Sequence, residues 1–432
     1  MFNKKYITAL LAATALSAVS LQSVSAQSID ELKAQLEALT KRLEQLEKKQ
    51  AESVKKSKTP VVKKAEPAFS LATEDGLFEF NLRGRLFADA GWVNDSDDTM
   101  NVGATEFRTA RLGIEGKAWK SVKYKFEADF ADNEVDIKDA YLQYSGSSGK
   151  WKFGQFKTPN SLEEQTSSRH ITFMERASFT DAFAITRMMG IGYGNGGDNW
   201  TLNAGIYRGT AGSDGDKEGE AIAARFTYGQ EFDGGTWMFG ASARHQNVGG
   251  GSDIRYRQRP HNHLSDRFVA TSRIASKDNL FGFEAAVQAG SFHAASEWAF
   301  LSASEGGMGG NDASFNGGYF EAGWFITGEK KPLKLSKGTW DRPKVKNPVH
   351  KGGIGAWQLA AKFDRIDLTD EGVNGGEQDT FIVGVNWYLN RHTRFMANYS
   401  HSSIENAFDV AANGADGENS VDALGVRFQV DW

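Results

Sequence analysis

From about Leu77 to Trp432, apolar and polar residues alternate with period two in runs of ten or so residues, and few folds satisfy that pattern. Phe78, Phe80, Leu82, Leu86 and Trp92 share one parity, while Glu79, Asn81, Arg83, Arg85 and Asp89 take the other. Tyr124, Phe126, Ala128 and Phe130 alternate with Lys123, Lys125, Glu127 and Asp129. In the last run Leu424, Val426, Phe428, Val430 and Trp432 alternate with Ala423, Gly425, Arg427, Gln429 and Asp431. A strand points successive side chains to opposite faces, so each run carries one apolar and one polar face. Strands of this length with that alternation fit a transmembrane barrel with a polar lumen. They also fit a large soluble β-sandwich. Two features favour the barrel: aromatic residues recur near strand ends, and the chain stops on an aromatic inside its final strand.

About sixteen such segments are separated by Gly, Asn, Asp and Ser clusters. The expected fold is therefore all-β, a sixteen-stranded antiparallel transmembrane barrel over residues 75–432, wide enough for an aqueous channel. Mean hydropathy of −0.48 does not oppose this, because lipid-facing and lumen-facing residues average out along a barrel strand. The chain has no cysteine, which excludes a disulfide framework, thiolate metal sites and a cysteine nucleophile.

The N-terminal part follows a different logic. Lys4 and Lys5, an apolar stretch from Ile7 to about Leu21, and Val24-Ser25-Ala26 have the form of a signal peptide over residues 1–26; the alternative is a retained anchor. Ile29, Leu32, Leu36, Leu39, Leu43 and Leu46 then recur at spacings of three and four. That seam predicts a periplasmic coiled coil over 27–51, with two or three strands left open, or else one amphipathic helix lying on its own domain. Residues 52–74 hold Lys55, Lys56, Lys58, Lys63 and Lys64 with Pro60 and Pro67 and are expected to form a flexible basic linker. Such a linker tethers the helix, or meets an acidic surface such as lipid headgroups or peptidoglycan.

An even strand count places both barrel ends on one side, the periplasmic one. Short connections at Lys120-Ser121, 145–149 and 390–392 fall there, and longer ones near 159–185, 249–279, 304–316 and 405–419 fall outside. Residues 329–351 break the rule. The count puts them on the periplasmic side, where turns should be short, so either the count is off or this turn folds into the lumen.

Several stretches resemble the phosphate-selective porin O/P family. They are Phe107-Arg108-Thr109-Ala110-Arg111-Leu112, Lys138-Asp139-Ala140-Tyr141, Gly154-Gln155-Phe156-Lys157, 162–168, Ile354-Gly355-Ala356-Trp357 and Gly384-Val385-Asn386-Trp387-Tyr388. No one of them is a strong signature; their order across about 75–432 is. The resemblance implies trimers of sixteen-stranded barrels in the outer membrane, an N-terminal periplasmic coiled coil, and a constriction built by loops folding into the pore. It also implies that an inward periplasmic turn is normal.

A porin has no catalytic step, and its selectivity comes from charge at a narrow place. Residues 251–275 carry Arg255, Arg257, Arg259, Arg267 and Arg273 against Asp253 and Asp266, a net +3. At strand spacing Arg255, Arg257 and Arg259 share one face, about 7 Å apart. Such a ladder could pass phosphate or carboxylate between planar, permanently charged forks. The resemblance assigns an arginine ladder to the matching Arg257-Gln258-Arg259-Pro260; the alternative is a solvated external loop. The 329–351 turn is net +6, and positive charge in two candidate lumen segments of a chain of net charge −5 focuses a field that concentrates anions. Parity adds Arg83, Arg85, Lys123 and Lys125 to the lumen, but gives Arg108 the lipid face, where a bulge or rim position must rescue it. Phosphate-selective members carry a lysine where this chain has Glu164, just before Ser167 and Ser168, and an aspartate where it has Lys138. The resemblance puts Glu164 and Lys138 at the constriction, where they are expected to pair, with Arg169 taking over as the cation. That exchange counts against phosphate specificity and leaves anion bias intact.

His261-x-His263 with Asp266 is too sparse to mark a metal site, and no cofactor or nucleic-acid partner is called for. The expected partners are small anions, outer-membrane lipid and two further copies of the chain. Against the anion channel stand two other classes, a barrel that anchors a tether to the cell wall and an outer-membrane hydrolase. The hydrolase needs a Ser, His and polar orienter on adjacent strands at the outer surface, and the sequence shows no such grouping.

Overall fold

The computed structural model of the chain describes residues 29–57, 60–64, 68–98, 100–211, 219–248, 254–304, 312–370, 372–409 and 414–432. The signal-peptide expectation lies outside these residues, as do Asp253 and parts of the linker. Two units are distinct, one ending at Pro60 and one beginning at Val61. The first contains helix α1 (Ile29–Ser57), on which Leu36, Leu39, Leu43 and Leu46 are 58% to 70% exposed. The helix runs past the expected end at residue 51, because Ala51, Glu52, Lys55 and Lys56 are good helix formers and the first proline comes at Pro60.

The second unit is a closed barrel of sixteen strands. They are β1 (Phe78–Asp95), β2 (Val102–Ala118), β3 (Val122–Asp129), β4 (Asp136–Gly146), β5 (Gly149–Lys157), β6 (Arg187–Gly196), β7 (Trp200–Arg208) and β8 (Glu220–Phe232). They continue as β9 (Gly235–Asn247), β10 (Lys277–Ala289), β11 (Phe292–Ser304), β12 (Ala313–Phe325), β13 (Ala356–Asp370), β14 (Val373–Tyr388), β15 (Thr393–Asp409) and β16 (Gly414–Asp431). Each pairs antiparallel with the next, and β16 closes on β1 from Val421↔Asp95 to Asp431↔Arg85. The last residue continues the seam, with Trp432 N–H donating to the Gly84 carbonyl and Gly84 N–H to that of Trp432, both at 3.1 Å. A short strand, Ser70–Thr73, pairs with the start of β1.

The alternation sorts the two faces as expected. Phe107, Leu112, Phe126, Leu142 and Phe153 stand exposed on the outside, whereas Arg85, Asp89, Glu127 and Arg427 are buried within. Among the described residues no helix is long and apolar enough to cross a membrane; here the crossing elements are strands. Arg108 sits at a β-bulge, where the register jumps from Phe87↔Thr109 to Ala88↔Phe107. The extra residue re-aims its side chain inward, and it pairs there with Glu175 at 2.9 Å.

Connections alternate in length. At one end lie tight turns such as 147–148, 233–234 and 290–291, together with the 326–355 segment between β12 and β13. The loops of 158–186 and 248–276 lie at the other. The expected loop at 405–419 is instead mostly strand: β15 and β16 run on to Asp409 and from Gly414, with a register shift between Ile404 and Ala407. Polar residues are tolerated there because antiparallel pairing does not require an apolar face.

Candidate functional site

Three segments fill much of the barrel. The 158–186 loop joins β5 to β6, yet its residues bond to lumen-facing side chains of β11 to β16, which it reaches only by crossing the interior. Glu297 of β11 accepts from Leu162 and Glu163 N–H, each at 2.7 Å. Arg394 of β15 donates to the Ile171 carbonyl at 2.8 Å, and Arg427 of β16 to that of Met174 at 2.7 Å. Asn398 accepts from Met174 N–H at 2.7 Å. A non-repetitive loop buried in a barrel must have its backbone satisfied by side chains, and this explains why so many charged residues on these strands are buried. Apolar packing adds to it, with Leu162, Phe179 and Phe183 joining Tyr256, Phe268 and Phe315 in one cluster.

The 248–276 loop enters from the same end. Arg257-Gln258 pairs with Val269-Ala270 as a small hairpin. Tyr256 and Gln258 turn into the packing and are buried, while Arg257 on the opposite parity is exposed. Tyr256 Oη donates to Asp278 at 3.2 Å, which fastens the hairpin to β10. Arg255 and Arg259 brace the hairpin through Thr271 and Ser265 carbonyls, each at 2.8 Å. Burial, followed by the positive charge of Arg259, Arg257 and Arg255, pushes the Arg267 guanidinium down to about 10 despite Asp181 nearby.

The third segment is the 326–355 turn. Its short strands Leu333–Lys334 and Thr339–Trp340 form a hairpin whose tip meets the barrel wall, with Arg225 of β8 donating to the Gly338 carbonyl at 2.7 Å. Trp340 N–H reaches Thr166 of the first loop at 3.3 Å. The strand count was right, and the turn is folded inward.

The inner face of β1 to β6 is dense in paired charge. Glu127 accepts from Arg83 at 3.1 Å, Arg85 at 3.2 Å and Arg111 at 3.3 Å, and Arg111 also holds Asp129 at 2.7 Å. Arg85 donates to Ser168 Oγ at 2.8 Å, tying the wall to the first loop. Ser167 Oγ accepts from Arg169 at 3.3 Å, and Arg169 reaches Asp431 at 3.1 Å. Arg342 from the turn shares that carboxylate. Lys125 and Arg187 share Asp139. Burial, with Arg342 and Arg169 adding to it, pushes the imidazole of His170 down to about 2, so it stays neutral.

Arg83, Arg85, Ser168 and Arg169 thus come together, and Ser167 accepts from Arg169. Lys123 has the expected parity but stands exposed at the tight-turn end, away from this cluster. The expected Glu164–Lys138 pair does not form. Glu164 is buried in the first loop between Lys157 at 3.1 Å and Arg176 at 3.0 Å. Burial alone would raise its carboxyl, but Arg176, Lys157 and Arg187 outweigh it and hold it below the usual range. Lys138 occupies a second bulge, between Glu127↔Asp139 and Ala128↔Ile137, and meets Asp136 instead. Sequence reading did not single out Arg111, Arg176 and Arg187; Arg111 was accessible to it, since it has the lumen parity and faces Arg85 across the sheet.

A Ser–His–Asp grouping does occur. His261 Nε2 lies 3.1 Å from both Ser178 Oγ and Asp364 Oδ1, while its Nδ1 is buried without a partner. A relay needs the carboxylate on the opposite nitrogen from the serine. Here one nitrogen serves both, and a carboxylate can only accept, so Nε2 carries the proton and cannot act as the serine's base. The grouping is structural.

Known proteins are similar to this chain over most of its length. An uncharacterised protein of Caulobacter vibrioides is 31% identical over 388 residues, covering 85% of this chain and 76% of that protein. Porin O of Pseudomonas aeruginosa is 26% identical over 387 residues, covering 78% of this chain and 85% of its own. The crystal structure of the outer membrane channel DcaP of Acinetobacter baumannii superposes with a TM-score of 0.52 at 13% identity, over 84% of this chain and 99% of that one, which supports the barrel fold. The profile of the family described as phosphate-selective porin O and P matches residues 80–432. An outer-membrane β-barrel whose lumen is narrowed by two loops and an inward turn, the chain belongs to the phosphate-selective porin O and P family.

Proposed function

We propose that the protein is a trimeric outer-membrane channel for passive diffusion of small anions. The observation that carries this is the inward hairpin with Arg255, Arg257 and Arg259 on one face, of which Arg257 is exposed and forms no ion pair among the described residues. A cation held in a lumen segment raises local anion concentration without a tight site. Below it, the guanidinium groups of Arg83, Arg85, Arg111, Arg169 and Arg342 outnumber the carboxylates Glu115, Glu127, Asp129 and Asp431 that they share. Because those groups are already paired, an anion exchanges one partner for another at little net gain, which favours flow over retention. On this reading phosphate passes as one anion among several.

The same reading makes the tight-turn end periplasmic and residues 1–26 a cleaved signal peptide. The exposed leucine seam of α1 fits two further copies of the helix, and the lysine-rich stretch from Lys55 to Lys64 fits contact with peptidoglycan, although 52–57 continue α1 and Pro60–Lys64 is a strand rather than flexible linker. The test is single-channel recording of purified protein in planar bilayers, with chloride current titrated by phosphate. Discrete conducting steps with little block at micromolar phosphate are expected. Absence of steps would favour the tether, and strong micromolar block would mean that the arginines form a saturable phosphate site.

A further inference from the structure

The two inward loops share an anchor. Asp364 on β13 is fully buried, and its carboxylate accepts from Ser178 N–H of the first loop at 3.1 and 3.2 Å. The same carboxylate receives His261 Nε2 of the second loop at 3.1 Å. Ser178 Oγ, at 3.1 Å from that nitrogen, closes a three-membered joint between the loops and the wall. His261 has a φ of 51°, in the left-handed region that a residue with a Cβ avoids, and such backbone persists only where its surroundings hold it. A buried carboxylate that accepts several hydrogen bonds is worth more than a neutral acceptor, and removing it leaves its donors unsatisfied.

Several other fastenings belong to one loop each. Glu297 and Asn398 hold the first; Glu106, which meets His263 at 2.8 Å, holds the second. Two further links join the loops: Arg267 of the second lies 3.5 Å from Asp181 of the first, and an indirect bridge runs through Asp278, which takes Tyr256 of the second loop and Arg244, itself donating to the Phe183 carbonyl of the first at 3.0 Å. That bridge keeps both loops inside the barrel when Asp364 is altered.

We propose that Asp364 is a positioning residue that couples the two loops, so that the arginine hairpin and the first loop hold their places as one body. The inference rests on the proposed function only in taking these loops as the walls of the conducting path. Asp364 touches no permeating ion; it acts through His261 and Ser178.

The chain has no cysteine, so a single introduced thiol reports alone. Arg257→Cys marks the hairpin and Ser167→Cys the first loop, each in the full-length chain reconstituted in vesicles. The readout is the rate of reaction with a charged, membrane-impermeant thiol reagent, with heat-modifiable gel mobility as the check that the barrel has closed. Asp364→Ala is expected to speed labelling at both positions about tenfold, because local opening becomes easier. His261→Ala should speed it at Arg257→Cys and leave Ser167→Cys within about twofold, because Asp364 still holds Ser178. Asp364→Asn, which retains an acceptor for Ser178 N–H, should fall between wild type and Asp364→Ala and carries the test if the alanine variant does not assemble. Acceleration at one position only, or at neither, in the Asp364 variants would overturn the coupling. Labelling is independent of ion selectivity, so a protein that labels as expected yet passes no anion would refute the proposed function and leave the coupling in place.

Discussion

Replacing Arg255, Arg257 and Arg259 together by Ala tests the hairpin's contribution to selectivity, and its size follows from the geometry. Alternate residues of an extended segment are about 7 Å apart, and an anion level with the hairpin lies at about that distance from each charge. In water each pair interacts by about 0.6 kcal/mol, and a screening length of about 10 Å at 0.1 M salt cuts that to about 0.3 kcal/mol. Three charges then contribute about 0.9 kcal/mol, a four- to fivefold local enrichment of a monovalent anion at about 1.4 kcal/mol per decade. At 1 M the screening length is about 3 Å, and the sum falls below about 0.2 kcal/mol, or roughly 1.3-fold. The assay is the zero-current potential across a bilayer holding purified protein in a salt gradient, converted to a chloride-to-potassium permeability ratio. Because the same charges repel potassium as strongly as they attract chloride, the variant should lose about twentyfold in that ratio near 0.1 M and less than about twofold near 1 M. Heat-modifiable mobility should stay unchanged, since the hairpin is no part of the barrel sheet. An unchanged ratio at low salt would place these arginines off the conducting path. An equal loss at both salt concentrations would show that shape, not charge, sets the effect.

Other outcomes follow from particular contacts. Glu164→Lys should loosen the first loop and not build a phosphate site, because the lysine would join Lys157 and Arg176 in a buried place at a cost of about 3–5 kcal/mol; the sign is increased open-channel current noise without micromolar phosphate block. Gly84→Ala should lower the fraction of heat-modifiable barrel on refolding, since a Cβ there would fall inside the Trp432 ring at the closing seam and overpacking costs about 1–3 kcal/mol. For Glu175, burial would raise the carboxyl, but Arg108 and Arg427 outweigh it and hold it well below the usual range. A depressed carboxyl contributes its full stabilisation above the unfolded value of about 4.3 and loses it as pH falls through the lower folded value. Current noise should therefore stay flat from pH 7 to about 4 and rise only in stronger acid, and a rise near pH 6 would contradict the pairing.

Much of this architecture was legible because a barrel strand writes its two faces into alternate letters. Arg108 illustrates how far that goes: its lipid parity was an inconsistency that required a bulge or a rim position, and the register jump at Phe87 is a bulge. Topology likewise marked 329–351 as a long segment at the end where turns are short, which left a miscount or an inward fold open, and the structure folds the segment inward. The ends of β15 and β16 were not legible, because above the apolar band a strand needs no hydrophobic parity and its Asn, Gly and Asp residues look like loop. Nor were the pairings inside the lumen. Arg169 meets Asp431 across 262 residues of sequence, and Arg342 meets it across 89. Neither distance leaves a periodic trace. Glu164 was misplaced for a related reason: position in a motif says which loop a side chain belongs to, whereas the folding of that loop on itself decided that Lys157 and Arg176 would cover it.

The central claim is that fixed guanidinium charge in the lumen makes this barrel prefer anions. It is tested most directly by the sign of the zero-current potential of the unaltered protein in a tenfold KCl gradient at low ionic strength. The account predicts a potential displaced toward the chloride equilibrium value and moving toward zero as both solutions are raised in salt. A potential displaced toward potassium, or one indifferent to ionic strength, would contradict it.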